Sequence, residues 1–142
     1  MNYEDRKIVA VLATTVEPSV ALNVIGHLSI AIGNYSDSEI MGKSIIMDKS
    51  TIPHLGISRF PFIVTKVKAS KLKIAIDKAK SNPNLLVADY PKDMLETRTD
   101  EELVASIGKK ENDQLEYLGA IIYGDTKEVN EITGKFQLWN EN

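Results

Sequence analysis

The chain has no cysteine and only two histidines among its 142 residues. Without cysteine there is no disulfide, no thiolate nucleophile and no cysteine metal site. The histidines, His27 and His54, are far apart, and neither belongs to an HxH or HExxH pattern. Recognised zinc sites show close ligand pairs, so a site built from His27, His54, Asp48 or Asp89 is not favoured. No metal and no cofactor is expected. Long apolar runs are also missing. None reaches the roughly 20 residues that a membrane span needs. The charged opening, MNYEDRK, fits no signal peptide. The expectation is a cytoplasmic protein with no membrane partner. An excess of basic charge is absent too. The formal net charge is −3, which gives no general attraction to nucleic acid. The aromatic residues are scattered and do not interleave with lysines, so no stacking platform for single strands is visible.

What remains is ordinary globular material, with 43% apolar and 26% charged residues, close to the average for soluble domains. A chain of this length buries roughly 70% of its unfolded surface, enough for one domain without staples. Its organising stretch runs from Lys7 to Asn34. Ile8 to Leu12 is a continuous β-favouring run, long enough for a strand and too short for a helix. Pro18 then suits a helix start and Ser19 an N-cap. The following helix, apolar nearly all round, is expected to be buried on most sides. Gly33 and Asn34 suit its C-terminal end. Ser19, Asn23 and His27 fall at i, i+4 and i+8, one narrow polar stripe.

Further strands are expected at Lys43–Met47, near an edge, and at Phe62–Val67, Leu85–Ala88 and Leu118–Tyr123. The Ser50–Arg59 loop, rich in apolar residues, is expected to pack down. A helix over Ser70–Lys80 carries Leu72, Ala75, Ile76 and Ala79 on one face, with Ser70 as N-cap. Thr99 and Glu102 form a capping box that opens a helix to about Ile107. Asp125 or Thr126 caps a short helix through Ile132, and Lys135–Trp139 closes the chain as a strand or packed tail. Strands alternating with helices argue an α/β sandwich with helices on both sheet faces. Lys43–Met47 and Phe62–Val67 have no helix between them, which predicts an antiparallel pair and a mixed sheet.

Two pieces of the sequence resemble the type II peptidyl-tRNA hydrolases. YLGAIIYGDTKEVNEITGKFQLW is similar to their C-terminal end. KIVAVLATTVEPSVALNVIGHLSIAIGNY resembles their opening strand, loop and helix, with His27 where that family carries a histidine. Asn23, the HLGI loop (His54–Ile57), the PFIV strand and the YLGAIIYG strand together resemble a bacterial domain family of unknown function thought to share that fold. The resemblance implies a three-layer α/β/α sandwich with a mixed central sheet. The lysine-rich and acidic patches, together with apolar residues of the HLGISRFPF loop, suggest a homodimer, and the hydrolases' tendency to pair points the same way. The resemblance implies no activity of its own. The hydrolases place an essential lysine in a glycine- and lysine-rich loop before the first helix. Here that loop is Glu17-Pro18-Ser19-Val20, so peptidyl-tRNA hydrolysis is not expected. Asp89 matches an aspartate that follows their third strand.

The candidate site gathers Thr14, Thr15, Ser19, Asn23, His27, His54 and Asp89. A helix start offers free amides and a dipole that favour an anion. Asn23 can read a specific polar group. Asp89 ends a strand, where α/β folds often place ligand contacts. A small or anionic ligand is therefore expected near the first helix. Against this stands the reading of Asn23 and His27 as a pair bonded within the fold, since buried polar groups are usually satisfied internally. No catalytic residue is assigned. Lys66, Lys68, Lys71, Lys73, Lys78 and Lys80 crowd one segment. A solvated face accounts for them better than RNA does.

Overall fold

The computed structural model describes residues 4–140. The first three residues of the charged opening lie outside that range. In chain order the elements are β1 (Arg6–Ala13), α1 (Pro18–Tyr35), a 3₁₀ turn (Ser38–Ile40), β2 (Ile45–Met47), β3 (Pro53–Leu55), β4 (Phe62–Val67), α2 (Ala69–Lys80), β5 (Leu86–Pro91), α3 (Asp93–Glu96) and α4 (Asp100–Gly108). A second 3₁₀ turn (Asn112–Gln114) then leads to β6 (Tyr117–Asp125), α5 (Thr126–Thr133) and β7 (Gln137–Leu138).

The fold is mixed α/β around a mixed five-stranded sheet of order β5-β6-β1-β4-β7. β1 pairs in parallel with β4, Ile8 opposite Phe62 through Ala13 opposite Val67. The β1/β6, β5/β6 and β4/β7 pairs are antiparallel. β1 and β5 therefore run the same way with β6 between them. The sheet is mixed, but not for the reason read from sequence. Lys43–Met47 contributes β2, which leaves the central sheet and pairs with β3 in a separate two-stranded sheet.

Every residue from Ile8 to Ala13 and from Tyr117 to Gly124 is buried. Successive strand side chains point to opposite faces, so β1 and β6 are covered on both. That is why their sequence reads as unbroken apolar runs instead of alternation. The one polar side chain buried in β4, Thr65, donates to Ala10 O at 2.9 Å, which removes the cost of an orphaned hydroxyl. α1 packs on β6 and β5, while α2 and α5 pack on one another and on β6 and β1. Gly119 brings α1 close to the sheet. A Cβ there would stand 3.0 Å from Leu12 Cδ1 and 3.0 Å from Val24 Cγ1, tighter than side chains normally pack.

Several local expectations are corrected. The N-cap of α1 is Glu17, with Pro18 at the first helical position, and no side chain caps it. Proline at that position lacks a donor that would be free anyway, so Ser19 falls inside the first turn. The helix passes Gly33 and Asn34 to end at Tyr35, where Ser36 is extended. α2 begins at Ala69 after Lys68, so Ser70 is not its cap. α1 is far less buried than its composition implies. Ala21, Val24, Leu28 and Ile32 face the sheet, whereas Leu22, Asn23, Gly26, His27 and Ile30 are exposed. The Ser50–Arg59 loop does not pack down. Its first half is the outer limb of a hairpin whose residues from Lys43 to Leu55 are all exposed.

The capping box expected at Thr99 forms only in part: Thr99 caps α4, but Glu102 reaches past the cap amide to the residue before it. Thr99 Oγ1 accepts from the Glu102 amide at 3.1 Å, and Glu102 Oε2 accepts from the Arg98 amide at 2.9 Å. α4 is tied to α3 by a buried carboxylate. Asp93 accepts from Ser106 Oγ at 2.5 Å and from Lys110 Nζ at 2.7 Å. The lysine and serine donors hold its pKa below the usual carboxylate range despite its burial.

Candidate functional site

A cleft of about 470 Å³ opens between α1, β5 and the segment running from α3 into α4. His27, Leu28 and Ala31 of α1 form one wall. Ala88, Asp89 and Tyr90 of β5 line the floor. Met94, Thr97, Arg98, Thr99, Asp100 and Leu103 form the other wall. The volume lies in the range of small-molecule sites.

Each wall is placed by a local rule. His27 precedes Leu28, which is buried against the sheet, so His27 projects at the edge of that contact. Its ring centroid lies 6.3 Å from that of Tyr90, tilted by 40°. Tyr90 is buried, and burial pushes its phenol pKa up, because the phenolate would lose hydration. Its hydroxyl makes no hydrogen bond among the described residues. Arg98 stands immediately before the Thr99 cap, so the start of α4 fixes its backbone. Its guanidinium has no ion pair or hydrogen bond among the described residues. Thr97 Oγ1 donates to Asp93 O at 2.7 Å, which ties this wall to the buried Asp93 network.

Of the residues chosen from sequence, the cleft brings together His27 and Asp89. Asp89 meets it at the strand edge, while its carboxylate is bound by Lys80 Nζ of α2 at 2.5 Å. Burial works against the charged Lys80, but the bond and charge of Asp89 outweigh it and raise its pKa. Thr14, Thr15, Ser19 and Asn23 are exposed at the other end of α1 and line none of this cleft. His54 sits on β3 in the hairpin, its Nε2 2.9 Å from Asp48 Oδ2. Among the described residues no group of three or more histidine, aspartate or glutamate side chains is placed to hold a metal.

Tyr90 and Arg98 were not singled out by sequence reasoning. Tyr90 shares the strand end with Asp89 and had an equal positional claim. Arg98 had a weaker signal, a cation directly before a capping box. Three of the six lysines in the crowded segment are bound to neighbours. Lys73 donates to Asp77 at 3.2 Å and also to Asn112, Lys66 to Asn140, and Lys80 to Asp89.

The profile of the family described as "Protein of unknown function (DUF2000)" matches residues 6–140. The chain therefore belongs to that family. A solved structure of a protein of unknown function from Agrobacterium tumefaciens strain C58 is similar to it throughout. The identity is 21%, the TM-score 0.81, and the match covers 96% of this chain and 98% of that one. At that identity the likeness shows the fold. No curated protein matches the chain.

Proposed function

We propose that this DUF2000 protein binds a small anion that also carries a hydrogen-bond donor, in the cleft between α1, β5 and α4. The observation that carries this reading is the unpartnered Arg98 guanidinium on the wall opposite His27 at a cleft of ligand size. A guanidinium presents a planar fork that takes a carboxylate or phosphate through two bonds. Tyr90, a phenol that is protonated at neutral pH in any case and whose pKa burial raises further, supplies a hydroxyl on the floor. Asp100 on the same rim opposes a second anionic group and accepts from an amine or hydroxyl of the ligand. This moves the expected anion site from the start of α1 to the start of α4.

The fold is read as one domain of three α/β/α layers, of the peptidyl-tRNA hydrolase II kind. The support is the burial of β1 and β6 on both faces and the packing of α1 apart from α2 and α5. The reading contains no peptidyl-tRNA hydrolysis. The loop that leads into α1, Glu17-Pro18-Ser19-Val20, holds no lysine where those enzymes are thought to need one. RNA is not the proposed ligand, since the chain carries a formal net charge of −3 and Lys73 and Lys80 of the lysine segment are paired with carboxylates.

A thermal-shift titration with inorganic phosphate, lactate and glutamate tests the proposal. Binding to the folded state alone stabilises it by about 2.7 kcal/mol at one hundred times Kd. At least one probe is expected to raise Tm with concentration, and Arg98→Ala is expected to abolish the rise. Arg98 is exposed, so the unliganded Tm should hardly move. A rise of equal size in Arg98→Ala, or no rise with any of the three, would contradict the reading.

A further inference from the structure

Among the described residues, a run of exposed apolar side chains is gathered on an arm. It leaves the fold after the 3₁₀ turn and returns at Arg59. Its base is a continuous ladder: Met41 bridges Ser58, the Gly42 amide donates to Ile57 O at 2.9 Å, and the Gly56 amide donates to Ser44 O at 2.9 Å. Gly56 is required there, because a Cβ would lie 1.4 Å from the Lys43 carbonyl oxygen. The ladder continues through β2 and β3, and Asp48 closes the tip by accepting from the Ser50 and Ile52 amides at 2.8 and 3.0 Å. The arm is thus a built element. It nevertheless has no core. β2 and β3 pair with each other and with no strand of the central sheet. Ile45, Ile46, Met47, Ile52, Leu55 and Ile57 are all exposed, Leu55 to 85%. A two-stranded hairpin is marginal in water by itself, and exposed apolar patches of this kind mark interaction surfaces.

A second surface has the same character. α1 carries no aspartate, glutamate, lysine or arginine over its whole length. Its outer face shows Leu22 and Ile30 at 72% and 73% exposure, and Val104 of α4, across the cleft, is 72% exposed. Unpaired charges of opposite sign stand at the rims of the two surfaces, with Arg98 the cation among the acidic residues that open α4, where it belongs to the ligand cleft. Lys43 and Lys49 flank the apolar triplet of β2, and neither has an ion pair among the described residues. Asp100 and Glu101 open α4, and neither has one either. Charge depletion at the centre with complementary charge at the rim is the anatomy of a protein interface.

We propose that two copies of this chain associate by exchanging arms, the β2–β3 hairpin of each lying on the α1–α4 face of the other. Each copy offers one arm and one receiving face, so the exchange closes as a two-fold dimer with nothing left over. One of the two lysines that flank the β2 triplet comes to Glu101 of the other copy, while Asp100 faces the cleft ligand. Ile45, Met47 and Leu55 cover Leu22, Ile30 and Val104.

The absence of cysteine makes the test clean, because every introduced thiol is unique. Sedimentation of the wild-type protein at micromolar concentration is expected to give a dimer, and Leu55→Asp and Ile30→Asp are each expected to weaken it at least tenfold. All of these side chains are exposed in the single chain, so circular-dichroism melts of dilute variants should match the wild type. Leu55→Cys protein is then mixed with Leu22→Cys, Ile30→Cys or Val104→Cys protein and treated with a bis-maleimide. A covalent dimer is expected in at least one mixture and in none of the four proteins alone. A wild-type monomer would overturn the proposal, as would a dimer that survives Leu55→Asp. Cross-linking of Leu55→Cys with itself would replace arm exchange by arm-to-arm pairing, and would equally overturn it.

Discussion

The strands β1 and β6 and the arm formed by β2 and β3 are made of the same kinds of residue. Ile8, Val9, Val11 and Leu12 are almost wholly excluded from water. Ile45, Ile46, Met47 and Leu55 are not. What separates them is not hydropathy but neighbours. β1 has β4 on one side, β6 on the other and both of its faces buried, while β2 has only β3. Apolar side chains in the first region hold the chain together. In the second they leave the folding of the single chain almost untouched and are free to serve contact with another molecule.

The contrast is sharpest in truncation energies. Ile122→Ala removes a fully buried side chain from β6 and is expected to cost about 2–5 kcal/mol in urea unfolding. Leu55→Ala in dilute protein should stay within about 0.5 kcal/mol of the wild type. Comparable losses at the two positions would erase the distinction. Next in size is Asp93→Ala. It orphans the Ser106 hydroxyl and the Lys110 ammonium together, with an expected loss of about 1–3 kcal/mol. Because Asp93 has a lowered pKa when folded, its contribution is complete above the unfolded value. It is lost as pH falls through the folded one. Acid melts of Asp93→Asn should therefore show a shallower decline than the wild type in the most acidic range. Gly56→Ala should disorder the arm, seen as lost cross-strand NMR contacts between Ile46 and His54, while the thermal midpoint of the dilute protein hardly moves. The smallest effect is at the arm tip. His54 and then the Ile52 amide hold Asp48 below its ordinary pKa, so the tip loosens only as pH falls through that lowered value, with no change in the sheet.

The same contrast explains what could be read from sequence. Ile8–Leu12 and Leu118–Tyr123 announced buried strands because long β-branched runs have few other uses. The helix from Ser70 was legible because its apolar stripe had the right period, and Thr99 with Glu102 marked a helix start through a bond that the structure contains. The arm was not legible as an arm. Short triplets such as IIM and PHL do not say whether the cover comes from the same chain. The breadth of apolar surface on α1 misled for a related reason, since an all-round apolar helix reads as buried whichever molecule buries it. Within the cleft, His27 and Asp89 were reachable as chemistry-bearing residues at element ends. Tyr90 and Arg98 acquire meaning only when the start of α4 is seen to face α1 across the cleft, a tertiary arrangement that no local pattern encodes.

Amide hydrogen exchange of the wild-type protein at two concentrations, one below and one above the dimer dissociation constant, tests the division most directly. It observes both regions in one sample. The amides of β1 and β6 are expected to be equally protected at both concentrations, as befits bonds that open only with global unfolding. Those of Ile46, Met47, His54 and Leu55 are expected to exchange quickly in dilute protein and to gain at least tenfold protection in concentrated protein. Arm amides that exchange at the same rate at both concentrations would contradict the claim that this region is completed by a second copy of the chain.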